Sequence, residues 1–387
     1  MDIVTPFFKK PSFSPRIYLA RQYAKLYPRD LFIGVTGSID KATSIEAFVA
    51  VLSKKFKTLA TDKNINSVLS IPSTLLKLTP QTKKVILDMG VEFPGETDFY
   101  LSLVRPKTVI CTKVLYGDGE YVGELEEISE EKVKLIETLD VDGVAILNFD
   151  DPNCKKLAKS CKGSVVFFGT DPENCTVWAG NIKVEDFRTS FELNLGVERV
   201  KVNFPLLGSQ QVYVALAAAA LGVVNNIPLT KIKISLESLK PAEHRMQVLA
   251  GPNGSTILDD TYNSSPAGVE AAIDTLLRVN ARRRILVLGE MKDLGKYSEK
   301  LHCQIAQKIY KEKIDLVFLG QGDCEFISTE LKSLGFWEER LESNLQNSQI
   351  VGKLLKTLGK GDVVLIKGSY SVRLDEVVKR IAKKSPS

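Results

Sequence analysis

Lysine, hydroxyl and carboxylate side chains fall at the ends of apolar runs in this chain, where they can act on an anionic substrate. The run Phe32-Ile-Gly-Val35 leads into Thr36-Gly37-Ser38, Lys41 follows, and Thr43 and Ser44 come just before an amphipathic stretch. A strand, a glycine turn and a helix start gather backbone N–H groups and the positive end of a helix at one point. A lysine there neutralises phosphate oxygens, and a hydroxyl can join a magnesium shell. The loop differs from a standard phosphate loop in having Asp40 before the lysine and Ala42 after it. A plain strand–helix turn with a solvated lysine is the other reading of the same letters. Carboxylates at the ends of apolar runs recur as Asp88, Asp150-Asp151 and Asp259-Asp260. Asp88 stands where doubly wound folds place a magnesium ligand, although aspartates at strand ends are more often turn-formers.

These residues need a scaffold, and its period is legible. Ile45, Phe48, Val49, Leu52 and Phe56 recur at helical spacing after the loop. Buried strands are expected at Val85-Ile-Leu87, Val109-Ile-Cys111, Val144-Ala-Ile-Leu147 and Val165-Val-Phe-Phe168, alternating with helices, which implies a mostly parallel sheet. Residues 178–204 alternate polar and apolar and predict an antiparallel pair or edge. An apolar, Ala-rich helix follows at 212–224. Alternation restarts after Lys240-Pro-Ala-Glu243, with strands at Thr256-Ile-Leu258, Ile285-Leu-Val-Leu288, Leu316-Val-Phe-Leu319 and Val363-Val-Leu-Ile366. The expected division is an extension at 1–28, an α/β domain at 29–242 and a second α/β domain at 243–387.

With 387 residues, 26% charged, and a net charge of +5 spread along the chain, the composition is that of a globular protein and does not favour a nucleic-acid binder. Six cysteines form no C-x-x-C pair and only two histidines accompany them, so a zinc cluster is not expected and free thiols in a cytoplasmic setting are. No apolar run is long enough to span a bilayer.

The order of segments resembles the Mur ligases, in particular their dipeptide-adding branch, from about Leu31 to Ile381. It is carried by Gly34-Val-Thr-Gly37 with Lys41, Asp88-Met-Gly90 with Pro94-Gly-Glu96, Leu147-Asn-Phe-Asp-Asp-Pro152, Ala215-Leu-Ala-Ala218 and Arg245-Met-Gln247. The most specific segment is Asp259-Asp-Thr-Tyr-Asn-Ser-Ser-Pro266. Val287-Leu-Gly-Glu-Met-Lys-Asp-Leu-Gly295 and Gly361-Asp-Val-Val-Leu-Ile-Lys-Gly-Ser369 complete the series.

The resemblance implies a P-loop-containing central domain, a Rossmann-like C-terminal domain, and an ATP- and Mg2+-dependent amide ligase of peptidoglycan precursor synthesis. Such an enzyme forms an acyl phosphate that an amine resembling D-alanyl-D-alanine attacks. It implies Lys41, Lys132 and Asp88 as catalytic, with Lys132 at the place of a carbamylated lysine. Gly37, Ser38, Lys41, Thr43, Arg245 and Asp260 would hold the nucleotide, and Asp88 and Asp118 the metal. Tyr262, Asn263 and Lys367 would face the incoming substrate. The family also has a UDP-sugar domain that residues 1–28 are too short to replace, so a separate protein supplying that site is one expectation.

The chain departs from the family pattern at Asp40 (glycine there), Ala42 (hydroxyl), Asp88 (glutamate), Lys113 (asparagine), Asp118 (histidine), Gln210 (histidine) and Val214 (asparagine). Lys113 could balance Asp40, and Asp118 could replace the histidine at the metal. Two further readings stay open: a catalytically impaired pseudo-ligase serving as a binding or scaffold protein, and a ligase for another carboxylate.

Overall fold

The computed structural model describes residues 14–38, 40–62, 65–91, 95–114, 125–292, 294–312 and 314–383. Two compact units emerge. One gathers the chain up to Ile182 with Phe191–Phe204 and Gln211–Leu239; the other gathers Lys183–Ser190, Pro205–Gln210 and the chain from Lys240.

The first unit contains helix α1 (Ser14–Ala24), strand β1 (Phe32–Thr36), α2 (Lys41–Leu52), β2 (Thr58–Ala60), α3 (Ser67–Leu75), β3 (Lys84–Asp88), α4 (Glu96–Leu103), β4 (Thr108–Cys111), α5 (Leu125–Glu137), β5 (Val144–Asn148), α6 (Pro152–Ala158) and β6 (Ser164–Gly169). Next in the chain come strands β7 (Val177–Glu185), β8 (Arg188–Leu195) and β9 (Glu198–Phe204) and helices α7 (Val212–Val224) and α8 (Leu229–Glu237), with Lys183–Ser190 of β7 and β8 counted in the second unit. The sheet order is β2-β3-β1-β4-β5-β6-β7-β8-β9, and the pairs from β2 to β7 are parallel. All five residues of β1 are buried, because helices cover a central parallel strand on both faces. Strand β1 lies between β3 and β4, where the strand order reverses, and ligands of open α/β sheets bind at the carboxyl ends of strands at such a point.

Three strands, rather than one antiparallel pair, occupy residues 177–204. Asp186 and Phe187 both take positive φ between β7 and β8, as a two-residue hairpin turn requires. Helix α2 ends at Leu52, so Phe56 lies beyond it; Ile45, Phe48, Val51 and Leu52 are its buried face.

The second unit contains β10 (Gln247–Ala250), β11 (Thr256–Asp260), α9 (Pro266–Arg278), β12 (Arg284–Leu288), α10 (Ser298–Lys311), β13 (Leu316–Gly320), α11 (Cys324–Ser333), β14 (Leu341–Leu345), α12 (Asn347–Thr357), β15 (Val363–Lys367) and α13 (Leu374–Ile381). Its sheet order is β10-β11-β15-β12-β13-β14, parallel except for β10. The strands alternate between two cores. Leu258, Leu286, Val317 and Leu365 pack with α9, α10 and α11, while Ile257, Ile285, Phe318 and Val364 pack with α12 and α13. Pro266 opens α9, where its missing N–H costs nothing, and Ser265 caps it through Gly268 N. Strands β10 and β14 escape the sequence pattern because they are short edge strands with polar residues among their apolar ones.

Candidate active site

The loop between β1 and α2 closes through a glycine that no other residue could replace without movement. Gly37 has φ of +137°, and an added Cβ would lie 2.1 Å from Thr112 Oγ1. Ser38 N donates to the Lys113 carbonyl at 2.8 Å, which ties the loop to the chain after β4. Asp40 takes a left-handed conformation, φ 57° and ψ 16°, and its carbonyl accepts from Ser44 N. It therefore holds the backbone shape that glycine adopts freely, so the aspartate changes the loop's charge without changing its path.

Lys41 is the first residue of α2 and its Nζ donates to the Gly37 carbonyl at 2.8 Å. Asp88 closes β3. Its N–H donates to Thr61 Oγ1 and its Oδ1 accepts from Gly90 N at 2.9 Å. An added Cβ at Gly90 would lie 3.0 Å from both Lys41 Nζ and Asp88 Oδ1, so the two charged ends flank one glycine. Burial pushes the Asp88 carboxyl above its usual range, while Lys41 and the Gly90 N–H pull it back part of the way.

Lys132 is 1% exposed, and its Nζ donates to Ser38 Oγ at 3.0 Å. Its neighbour Glu131 fixes this stretch of α5 against α4: Thr97 N donates to Glu131 Oε2 and Thr97 Oγ1 donates to the Glu131 carbonyl. Burial opposes the Glu131 charge, but hydrogen bonds from Lys134 and Thr97 outweigh it and leave the carboxyl below its usual range. Thr43 is buried on the first turn of α2.

Two hydroxyls, one at each end of the loop, gain a role in the structure that their place in the sequence did not single out. Thr36 Oγ1 and Ser44 Oγ are buried and find no hydrogen-bond partner among the described residues. Their only sequence signal is position, one at each end of the loop. Leaving such groups unpaired costs about 1–3 kcal/mol each. A phosphate oxygen reaching either hydroxyl would relieve that cost, so the residues present fit the phosphates of a nucleoside triphosphate.

Asp118 lies outside the described residues. Among the described residues no group of three or more His, Cys, Asp or Glu could hold a metal ion. A magnesium ion takes one or two carboxylates and fills its shell with phosphate oxygens and water, chemistry that Asp88 can serve. Asp151 proves to be a turn-former, capping α6 through Asn153 N and accepting from Val114 N.

The second unit gathers the other candidates at the end of β11. Asp260 Oδ2 accepts from Lys367 Nζ at 2.6 Å, and Asp260 Oδ1 from Met246 N at 3.1 Å. Lys367 also donates to the Asn263 carbonyl at 2.7 Å and its side chain is 5% exposed. The Arg245 guanidinium lies 4.0 Å from the centre of the Tyr262 ring. Gln210, which belongs to this unit, is spent on Thr275 of α9 at 3.2 Å. Val214 is a buried core residue of α7 in the first unit. His302 is wholly buried, and burial pulls its imidazole below the usual range; Nε2 accepts from Met291 N at 3.2 Å, a supporting role.

These arrangements have counterparts in known proteins. A model described as the Mur ligase middle domain matches residues 35–222, and one described as Mur ligase, glutamate ligase domain matches 244–370. The UDP-N-acetylmuramoyl-tripeptide–D-alanyl-D-alanine ligase of Bacillus subtilis is 30% identical over 366 residues, 93% of this chain and 78% of the relative. Its Escherichia coli namesake is also 30% identical, over 90% of this chain and 76% of the relative. A solved structure of the MurF ligase from Thermotoga maritima in complex with ADP shares the fold. Its TM-score is 0.84 at 24% identity, covering 96% of this chain and 83% of that one. Family models across both units, together with chain-long likeness at this level, leave one assignment: the chain belongs to the Mur ligase family.

Proposed function

We propose that this chain is an ATP-dependent ligase of peptidoglycan precursor synthesis, joining D-alanyl-D-alanine to a UDP-linked muramoyl tripeptide. The observation that carries the reading is the 30% identity to the Bacillus subtilis dipeptide-adding ligase over 93% of this chain. In the reaction the γ-phosphoryl group moves from ATP to the substrate carboxylate. The amine then attacks that carbonyl, phosphate leaves, and the nitrogen loses a proton as the amide forms.

The protein's share is positioning and charge neutralisation. Lys41 leaves the Gly37 carbonyl for phosphate oxygens, and the Thr36 and Ser44 hydroxyls donate to the same group. The first N–H groups of α2 lack intrahelical acceptors and complete the cradle. Lys132 holds Ser38 in place and stands ready for carbamylation. A magnesium ion, when bound, would offset charge on the phosphates, with Asp88 and Asp118 as its protein ligands. Arg245 and Asp260 contact the nucleotide. Tyr262 and Asn263 face the incoming dipeptide, and Lys367 braces Asp260 and the Asn263 carbonyl.

The test is incubation with Mg-ATP, the UDP-muramoyl tripeptide and D-alanyl-D-alanine, following phosphate release and product mass. Phosphate released in step with amide product supports the ligase. Folded protein that yields neither favours a binding protein built on the ligase fold.

A further inference from the structure

Arg245 is flanked by two residues in a conformation that side chains avoid. His244 has φ of 62° and Met246 has φ of 48°, both left-handed. Strain of this kind persists only where the surroundings over-determine it. Here three contacts do so. His244 Nδ1 lies 2.7 Å from Asp259 Oδ2, the His244 carbonyl accepts from Tyr262 N at 3.0 Å, and Met246 N donates to Asp260 Oδ1 at 3.1 Å.

The carboxylate that holds His244 is itself immobile. Asp259 is wholly buried, and its other oxygen accepts from Thr261 N and from Thr261 Oγ1 at 2.7 Å. A carboxylate accepts, so the imidazole carries its proton on Nδ1 and donates it. The same turn delivers Arg245 to the face of Tyr262. That stack is what a guanidinium needs to keep one orientation at a half-exposed position.

We propose that His244 is a positioning residue: its hydrogen bond to Asp259 locks the left-handed turn that aims Arg245 across Tyr262. The proposal rests on the reading that Arg245 contacts the nucleotide. His244 touches neither ATP nor the dipeptide and acts only through the arginine. Asn suits the left-handed region and can donate to Asp259; Gly suits the backbone but cannot donate; Ala does neither well.

The experiment uses the full chain carrying His244→Ala, His244→Gly, His244→Asn and Arg245→Ala. Steady-state KM for ATP is read beside the ring-current shift that Tyr262 imposes on the Arg245 side-chain protons in arginine-labelled protein. The expected result is loss of the ring-current shift in His244→Ala and His244→Gly, with KM for ATP raised roughly five- to tenfold and kcat within about twofold. His244→Asn should restore most of both. A ring-current shift that survives in His244→Gly overturns the proposal, whatever the kinetics. An unchanged KM for ATP in Arg245→Ala instead overturns the nucleotide-contact reading, and the ring-current arm still decides the positioning claim. Should His244→Ala fail to fold, the glycine and asparagine variants carry the same comparison.

Discussion

The two polar centres of this chain differ in how far they satisfy themselves. At the end of β11, Asp260, Lys367, Asp259, His244 and the Met246 N–H exchange hydrogen bonds among themselves, and among the buried side-chain atoms described there the Ser264 hydroxyl is left over. At the loop after β1, two buried hydroxyls have no partner among the described residues. Lys41 there spends its charge on a backbone carbonyl, and burial raises the neighbouring Asp88 carboxyl. A centre that closes on itself is already ordered before a ligand arrives. A centre with unmet donors awaits a ligand, and its donors specify an anion. The comparison separates residues whose loss costs stability from residues whose loss costs only binding and turnover, and mutation can test the separation.

The largest effect belongs to Lys41→Ala. It removes a cation at the start of α2 beside the candidate phosphate loop and should lower ATP turnover about 10²–10³-fold, the usual cost of losing a charge-stabilising donor. Its melting temperature should stay close to the wild type, because its side-chain hydrogen bond goes to a backbone carbonyl. Asp260→Ala should cost stability as well as nucleotide binding. It leaves Lys367 buried beside one carbonyl, and removing one partner of a buried pair costs roughly 3 kcal/mol, readable by denaturant unfolding. Equal stability losses in the two variants would erase the distinction between the centres.

A third test uses pH within the self-satisfied unit. Asp362 is wholly buried, which opposes its charge, yet hydrogen bonds from Arg283, Arg282 and the Gly359 N–H outweigh burial and hold its pKa at about 2. The native value lies below the unfolded value of about 3.9. Its stabilisation, on the order of 2 kcal/mol, is therefore complete above about pH 4 and lost as pH falls through about 2. Wild type should shed that much stability over this window, and Asp362→Asn should not. The smallest effect is Thr36→Val. It removes a buried hydroxyl without a described partner and should stabilise the free protein by on the order of 1 kcal/mol. Its cost should appear as severalfold weaker ATP binding by calorimetry.

Much of the fold was legible because parallel strands buried on both faces must be written as short β-branched runs, as in Val85-Ile-Leu87 and Val363-Val-Leu-Ile366. Edge strands escaped, since Leu341-Glu-Ser-Asn-Leu345 has only its ends to bury. The loop and Lys41 could be found by local order alone. Lys132 reaching Ser38 across 94 residues is a tertiary fact, and sequence offered it only through resemblance. The His244–Asp259 pair and the unpaired state of Thr36 and Ser44 depend on backbone conformation and packing, which no local pattern encodes.

The account stands on the loop between β1 and α2 binding phosphate as it is written, with Asp40 in place. Calorimetric titration of ATP, with and without magnesium, into wild type, Lys41→Ala and Asp40→Gly tests this most directly. Magnesium-dependent binding should be similar in wild type and Asp40→Gly, because both residues fit the left-handed backbone at that position, and it should be lost in Lys41→Ala. Binding that appears only in Asp40→Gly would show the natural loop to be disabled and contradict the account.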